Sequence, residues 1–225
     1  MKSSTAVFRK NGAGLALLVA SILLLAFKIA EMPIEYVNDS SRQLAEFSDN
    51  LSAVRVMAVL FPLSQLVLIP GVVGLVHLIY ERGAGLAHAG GALAIMGLFG
   101  HSAFSGAQMV TAEMAAIDPS SGEFAGLVDA MKESVALNIF SGMGLLGFAL
   151  GFIVLAFAIL RAGTAPWWVA LSLIVGLLLE FVGSAVVPVL GLAGTILFAA
   201  ALAYLGLRIL KMPEGEWVHR VRMDV

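Results

Sequence analysis

Hydrophobic and polar positions along this chain fall into long blocks instead of alternating residue by residue. Six blocks are almost wholly apolar, at about 12–31, 54–80, 86–112, 135–160, 166–186 and 189–210. Each is long enough to cross the hydrocarbon core of a bilayer, which takes roughly 20 residues of α-helix. The pattern therefore predicts an all-α polytopic membrane protein with six transmembrane helices.

Composition strengthens this prediction. Sixty per cent of the residues are hydrophobic, 12% are charged and the mean hydropathy is +0.98, whereas soluble domains carry roughly 25% charged residues. We expect one membrane domain over residues 1–225, with the lipid bilayer as its main partner. The net charge of −2 gives no reason to expect a nucleic-acid partner. Because there is no cysteine, disulfides, thiolate metal sites and a cysteine nucleophile are excluded.

Lys and Arg residues predict the orientation. If the amino terminus is cytoplasmic, nine of the 13 basic residues lie on the cytoplasmic side and four outside, as the positive-inside rule requires. An even number of spans then places the carboxyl terminus in the cytoplasm as well. We expect the protein in the plasma membrane, the inner membrane of a bacterium, with its first helix retained as an uncleaved span.

Similar short motifs recur along the chain and predict three helical hairpins. Ser40-x-x-Gln43 and Ser120-x-x-Glu123 are capping boxes that each open an outer interfacial helix after a span, and the sequence GAGLA occurs at 12–16 and 83–87. We expect hairpins at about 9–80, 82–160 and 161–211, followed by a juxtamembrane tail at 212–225. The alternative is that such glycine-rich and basic turns simply recur in membrane proteins.

Glu180 is the only charged residue between 166 and 207, and a carboxyl group in such a run is a candidate functional residue. His101 falls at a similar depth, since it lies 13 residues beyond His88 and Glu180 lies 13 beyond Trp167, or roughly 20 Å at 1.5 Å per residue. We therefore predict that the two form a proton-exchanging or ligand-anchoring pair. The alternative is an interhelical hydrogen bond that only holds two helices together.

Other polar side chains belong to the same predicted layer in the outer half of the membrane. They are Gln65, Ser105, Gln108, Ser141 and Ser184. Together with Glu180 and His101 they predict a polar pocket above a dry inner half. Lys28 and Glu31, three residues apart at a helix end, are interpreted as a snorkelling interfacial pair.

Two further histidines, His77 and His88, fall near the cytoplasmic boundary on consecutive helices. Such a pair could ligate haem or a metal ion, but no third ligand accompanies them, so we predict no cofactor and keep haem as an alternative. The sequence contains no phosphate loop, nucleophile elbow or zinc-protease motif. Whether the protein is an enzyme therefore stays open.

The segments LVHLIYERGAGLAHAGGALAIMG (75–97) and GFIVLAFAILRAGTAPWWVALSLIVGL (151–177) resemble those of a bacterial family of small six-span membrane proteins known only as a domain of unknown function. The resemblance implies a fold but no activity. The leading hypothesis is a pocket that binds a small or lipid-like molecule, for proton-linked transport or for membrane-embedded acid-base chemistry. The alternative from another class is a structural or accessory subunit that docks on a membrane partner or on a second copy.

Overall fold

A computed structural model describes residues 2–79, 82–184 and 186–222, with side chains described between residues 4 and 218. Within these ranges the chain forms nine α-helices, one π-helical segment and no strand. The helices are α1 Lys2–Glu31, α2 Ser40–Asp49, α3 Leu51–Leu78, α4 Ala84–Ile117, α5 Gly122–Glu133, α6 Val135–Ala162, α7 Trp167–Leu178, α8 Pro188–Lys211 and α9 Glu214–Arg222. The π segment, Leu179–Gly183, continues α7 directly.

Five of the described helices are long and apolar enough to cross a membrane: α1, α3, α4, α6 and α8. The fifth predicted span, 166–186, is shorter than expected, because the apolar helix that it forms covers only Trp167–Gly183. The chain leaves the helix there to reach Pro188, which begins α8 at a position where the missing amide costs nothing. Residue 80, where the second predicted span ends, lies outside the described residues.

The five long helices and the shorter α7 contact one another in a closed ring. Each packs against its neighbour in chain order, from α1 through α3, α4, α6 and α7 to α8, and α8 returns to α1. Short helices lie across the two ends of the ring. We call the end beneath α2 and α5 the capped end, and the end where α1 begins and α8 finishes the terminal end.

A seam of glycines holds α4 against α6. A methyl group at Gly97 would overlap the backbone of Gly147 and Phe148, and one at Gly100 would overlap Gly144. Backbones can approach so closely only where side chains are missing, which is how helices associate in lipid. A second close contact joins α7 and α8, where a methyl group on Gly176 would lie 2.8 Å from the carbonyl oxygen of Gly194.

Helices α2 and α5 pack together over the capped end. Leu44, Phe47 and Val128 are buried there against the ends of the long helices. Ser40 donates to Asp129 at 2.5 Å, and Lys132 donates to Ser40 at 2.8 Å and to the carbonyl of Asn38 at 2.6 Å. The two short helices predicted after the first and third apolar runs are therefore present and tied to each other by polar contacts.

The predicted capping boxes are each wrong by one residue. Asp39, not Ser40, caps α2 by accepting from the amide of Arg42 at 2.8 Å, and Ser121, not Ser120, caps α5 by accepting from the amide of Phe124 at 3.3 Å. Gln43 accepts instead from the amide of Val37. The polar residues come in pairs at both turns, so the motif alone does not fix which member adopts the cap geometry.

The terminal end is closed by a continuous hydrophobic core. Leu17, Leu75, Phe152, Leu173 and Leu202 are among its fully buried members. Helix α9 lies across this end, where Trp217 is buried against α1 and α3, so part of the predicted tail is anchored on the protein itself. Lys10 donates to the carbonyl of Met212 at 2.9 Å, which joins the beginning of α1 to the end of α8.

Candidate functional site

All six helices of the ring contribute to one cavity, which has a volume of about 310 Å³ and lies between the terminal core and the capped end. Tyr36, from the loop between α1 and α2, adds to its wall. The polar lining residues are Glu31, Tyr36, Gln65, His101, Gln108, Ser141, Glu180 and Thr195. The aromatic lining residues are Phe27, Phe61, Phe104, Phe148, Phe181 and Phe198. A cavity of this size, mainly apolar with a few converging polar groups, has the character of a small-molecule site.

Glu180 forms an ion pair with Lys28, on α1. The Lys28 Nζ lies 2.9 Å from Glu180 Oε1 and 2.8 Å from Glu31 Oε2, so one ammonium group bridges two carboxylates. The second oxygen of Glu180 accepts from the Thr195 hydroxyl on α8 at 2.5 Å. These three contacts tie α1, the π segment and α8 together at one side of the cavity.

Local sequence makes room for this arrangement. A methyl group at Gly191 would come within 3.0 Å of Lys28 Nζ and 2.9 Å of the Ser184 Cβ, so the glycine leaves space for the lysine to cross α8. In the π segment the amide of Ser184 donates to the carbonyl of Leu179, five residues back, at 3.0 Å, and the Ser184 hydroxyl donates to the carbonyl of Glu180. Single π turns of this kind recur at functional sites.

His101 lies on the α3–α4 side of the same cavity. Its Nδ1 is 3.3 Å from Gln65 Oε1, and its ring is flanked by Phe61 and Phe148, at centroid distances of 5.4 and 5.1 Å. Gly144 makes this position available, because a methyl group there would come within 2.5 Å of the imidazole Cδ2. Gln65 is 1% exposed and also donates to Ser64, so it fixes the ring from behind.

No hydrogen bond or ion pair joins Glu180 directly to His101. The two side chains line one cavity, but the carboxylate oxygens of Glu180 are held by Lys28 and Thr195, while His101 interacts with Gln65. The physical reason is that an ammonium group, which carries a full positive charge, is available across the α1–α8 contact. Depth along the helices assigns both residues to one layer but does not say which neighbour each will face.

Tyr36 reaches the edge of the site from the loop after α1. About half of its side chain is exposed (49%), but its hydroxyl lies 3.2 Å from Glu31 Oε1 and 3.3 Å from the sulfur of Met57. Burial of the hydroxyl end, helped by the negative charge of Glu31, raises the pKa of Tyr36 above its usual value. The phenol therefore stays protonated at neutral pH and donates to the carboxylate.

Of the seven residues predicted for the pocket, five line the cavity: Gln65, His101, Gln108, Ser141 and Glu180. The other two bond to the backbone of their own helix instead. Ser105 donates to the carbonyl of His101 at 2.9 Å, and Ser184 donates to that of Glu180. Hydroxyl groups commonly satisfy themselves in this way inside apolar helices, so both support the site residues without facing the space.

Sequence reasoning misses four lining or anchoring residues: Lys28, Glu31, Tyr36 and Thr195. The interpretation of Lys28 as a snorkelling side chain is wrong, because it is only 8% exposed and points inward. A signal is available, because an isolated carboxylate in a membrane needs a cation, and Lys28 is the basic residue that lies in the first apolar run. Thr195 carries no signal of its own, since its role depends on how α8 packs.

His77 and His88 have separate neighbours in the structure. The ring of His77 packs at a tilt against that of Trp217, with 4.4 Å between centroids, and its Nε2 lies 3.3 Å from the Trp217 carbonyl oxygen. His88 is exposed and its Nδ1 is 2.8 Å from the carbonyl of Ala84, one turn back on its own helix. Among the described residues no cluster of three or more His, Cys, Asp or Glu side chains could hold a metal ion.

Comparison with known proteins finds no relative of this chain. No family model matches the chain, and no match is found among curated proteins or solved structures. The described residues thus form an all-helical protein with five helices able to cross a membrane and a cavity lined by six helices.

Proposed function

We propose that this chain is an integral membrane protein that binds a small, largely apolar molecule in the cavity at the centre of its helix ring. The observation that carries the proposal is the cavity itself, with Lys28, Glu180 and Thr195 linked at its wall. Ligand binding is the step shared by transport and by membrane-embedded acid-base chemistry. A structural subunit would have no need to keep about 310 Å³ open among its helices.

We further propose six spans arranged as three hairpins, with the cavity in the outer half of the plasma membrane. Lys10 meets Met212, so α1 begins and α8 finishes at one end of the ring. This supports a sixth crossing, because α7 and the π segment must then carry the chain back from the end of α6 to the capped end. Seventeen residues span roughly 25 Å, a modest mismatch that a bilayer accommodates locally.

The ligand enters sideways from the outer leaflet in this proposal. The π segment packs on α8 and α7, whereas α6 has no buried residue before Gly144. Leu145 lines the cavity from α6 and is 44% exposed. The wall between α6 and the π segment is therefore the thinnest part of the ring. An apolar molecule dissolved in the bilayer would reach the cavity there without crossing water.

The proposal is tested by filling the cavity at Ser141. Wild-type protein and the Ser141→Trp variant are reconstituted in nanodiscs and titrated by calorimetry with three probes of similar shape: benzyltrimethylammonium, neutral neopentylbenzene and phenylmethanesulfonate. We expect at least one probe to bind wild type saturably and to lose about ten-fold or more in affinity in Ser141→Trp, because an indole would occupy the ligand space.

The matched control is Gly142→Trp, at the next position of α6. A Cβ atom there would meet nothing within 4 Å, and Gly142 is not one of the residues that line the cavity, so binding should be kept. Empty nanodiscs correct for partition of the probes into lipid. If no probe binds above that background, or if both tryptophan variants bind like wild type, the cavity is not a ligand site and the proposed function is wrong.

A further inference from the structure

The charged groups at the cavity do not balance. Lys28 faces two carboxylates, Glu31 at 2.8 Å and Glu180 at 2.9 Å, so the formal charge of this group is −1 when both acids are ionised. Among the other described charges near the capped end, Arg55 and Glu113 pair with each other, and Lys132 bonds to Asn38 and Ser40. Nothing in those contacts neutralises the excess carboxylate.

Six phenylalanine side chains make up much of the apolar wall of the cavity. Phe27 and Phe61 lie 4.6 Å apart between ring centroids, Phe148 and Phe198 5.5 Å apart, and Phe148 and Phe181 6.3 Å apart. Rings of this kind present their negative faces to a cation, and the attraction grows where water is excluded. The same rings give an anion no donor to hydrogen-bond.

Charge and aromatic lining thus favour the same kind of ligand. An inorganic cation would lose its hydration shell in this cavity and find too few oxygen ligands, because the carboxylates are already bonded to Lys28, Tyr36 and Thr195. An organic cation with a quaternary nitrogen needs no such ligands, because it has no N–H group to hydrogen-bond. Its charge is spread over the surrounding carbon groups, so it gives up no strong hydrogen bonds to water when it enters the cavity.

From these observations we propose that the cavity selects a monovalent organic cation with a compact apolar or aromatic body, held by the aromatic rings beside the Glu31–Lys28–Glu180 group. This inference rests on the proposed function and narrows it to one ligand class. Lys28 then has two effects that oppose each other: it stabilises the empty site by bridging the acids, and it lowers affinity by repelling the bound cation.

The three probes of similar shape provide the test. Benzyltrimethylammonium and neopentylbenzene have the same shape and differ in charge, so we expect the cation to bind about ten-fold or more tightly than the neutral compound. Phenylmethanesulfonate should bind weakest. All three are measured on the full chain in nanodiscs, at one ionic strength, because screening changes the electrostatic contribution.

Variants that change the charge of the Glu31–Lys28–Glu180 group test both the direction and the size of the change in cation affinity. Glu180→Gln or Glu31→Gln brings the formal charge of the group to zero and should lower cation affinity by about ten-fold, with neopentylbenzene changed by less than about two-fold. Lys28→Met makes the group more negative and should raise cation affinity. Two independent acid variants keep the test usable if one of them fails to fold.

Glu113→Gln is the matched control, since it removes the same formal charge from an exposed pair outside the cavity and should leave all affinities as in wild type. The inference is overturned if the neutral or anionic probe binds as tightly as the cation, or if the acid variants weaken all probes equally. Those outcomes, with Ser141→Trp still blocking binding, would leave the proposed function standing. If no probe binds the wild-type protein saturably, both the proposed function and this inference are wrong.

Discussion

Lys28 and Arg55 each form an ion pair with a glutamate, but in opposite surroundings. The Arg55–Glu113 pair spans the outer faces of α3 and α4, with side chains 52% and 60% exposed. Lys28 is buried and holds two carboxylates at once. The value of a charge pair depends on how much water each partner has lost, so the lysine and arginine pairs should respond very differently to the same substitution.

We predict that Lys28→Met lowers the free energy of unfolding by about 2 kcal/mol. This is less than the roughly 3–5 kcal/mol lost when a fully buried pair is broken, because the cavity leaves the carboxylates partly solvated. Adding Glu180→Gln to Lys28→Met should recover part of the loss, since one uncompensated charge is removed. The measurement is reversible unfolding in mixed micelles at neutral pH.

Arg55→Met serves as the comparison and should unfold like wild type, because its exposed pair contributes little. An equal loss in Lys28→Met and Arg55→Met would mean that burial of Lys28 has no energetic consequence. Full stability in Lys28→Met would mean that Glu31 and Glu180 are not both ionised in the folded protein.

At the scale of elements, glycines decide which helices can touch. Gly97 on α4 faces the backbone of α6, whereas a methyl group at Gly106, two and a half turns further along the same helix, would meet nothing within 4 Å. The residue type is the same, so only the neighbouring helix distinguishes them. Sequence spacing alone gives both positions the same expected role in helix packing.

We predict opposite effects for alanine at these two positions. Gly97→Ala should destabilise the fold by about 2 kcal/mol or more, because the methyl group forces α4 and α6 apart. Gly106→Ala should be neutral or stabilise by up to about 1 kcal/mol, since alanine is the better helix former. Unfolding in a denaturing detergent, followed by circular dichroism, measures both; equal effects would show that the α4–α6 seam is not close-packed.

Helices are easier to predict from this sequence than the residues at which they begin. Apolar runs determine that the long helices exist, because twenty apolar residues have no stable alternative in lipid to a helix that bonds its own backbone. The caps are displaced by one residue, to Asp39 and Ser121. A single side-chain hydrogen bond chooses between neighbouring residues, and that choice is too small in energy to be read from a motif.

At the scale of the whole molecule, the proposed topology can be mapped because the natural chain contains no cysteine. Three exposed positions are suitable: Glu123 and Val186 at the capped end and Arg82 at the terminal end. We predict that a membrane-impermeant maleimide added outside intact cells labels Glu123→Cys and Val186→Cys, and labels Arg82→Cys only after the cells are opened.

Val186→Cys tests the sixth crossing in particular. If α7 and the π segment did not cross, residue 186 would label with Arg82→Cys and not with Glu123→Cys. If Arg82→Cys alone were labelled from outside, the orientation would be opposite to the proposed one, and the number of crossings would still be six. The cysteine-free parent chain reports any background reaction.

The sequence by itself determined that the chain is helical, where the runs long and apolar enough to cross a membrane lie, and that Glu180 and His101 fall at similar distances along their runs. These follow from one-dimensional rules, because hydrocarbon thickness and helical rise convert sequence separation into depth. Only the tertiary structure decided which side chains face each other around the ring. The rotation of each helix about its axis, set by contacts such as Gly191 beside Lys28, turned an expected interfacial lysine into the partner of Glu180 and left a cavity among the six helices.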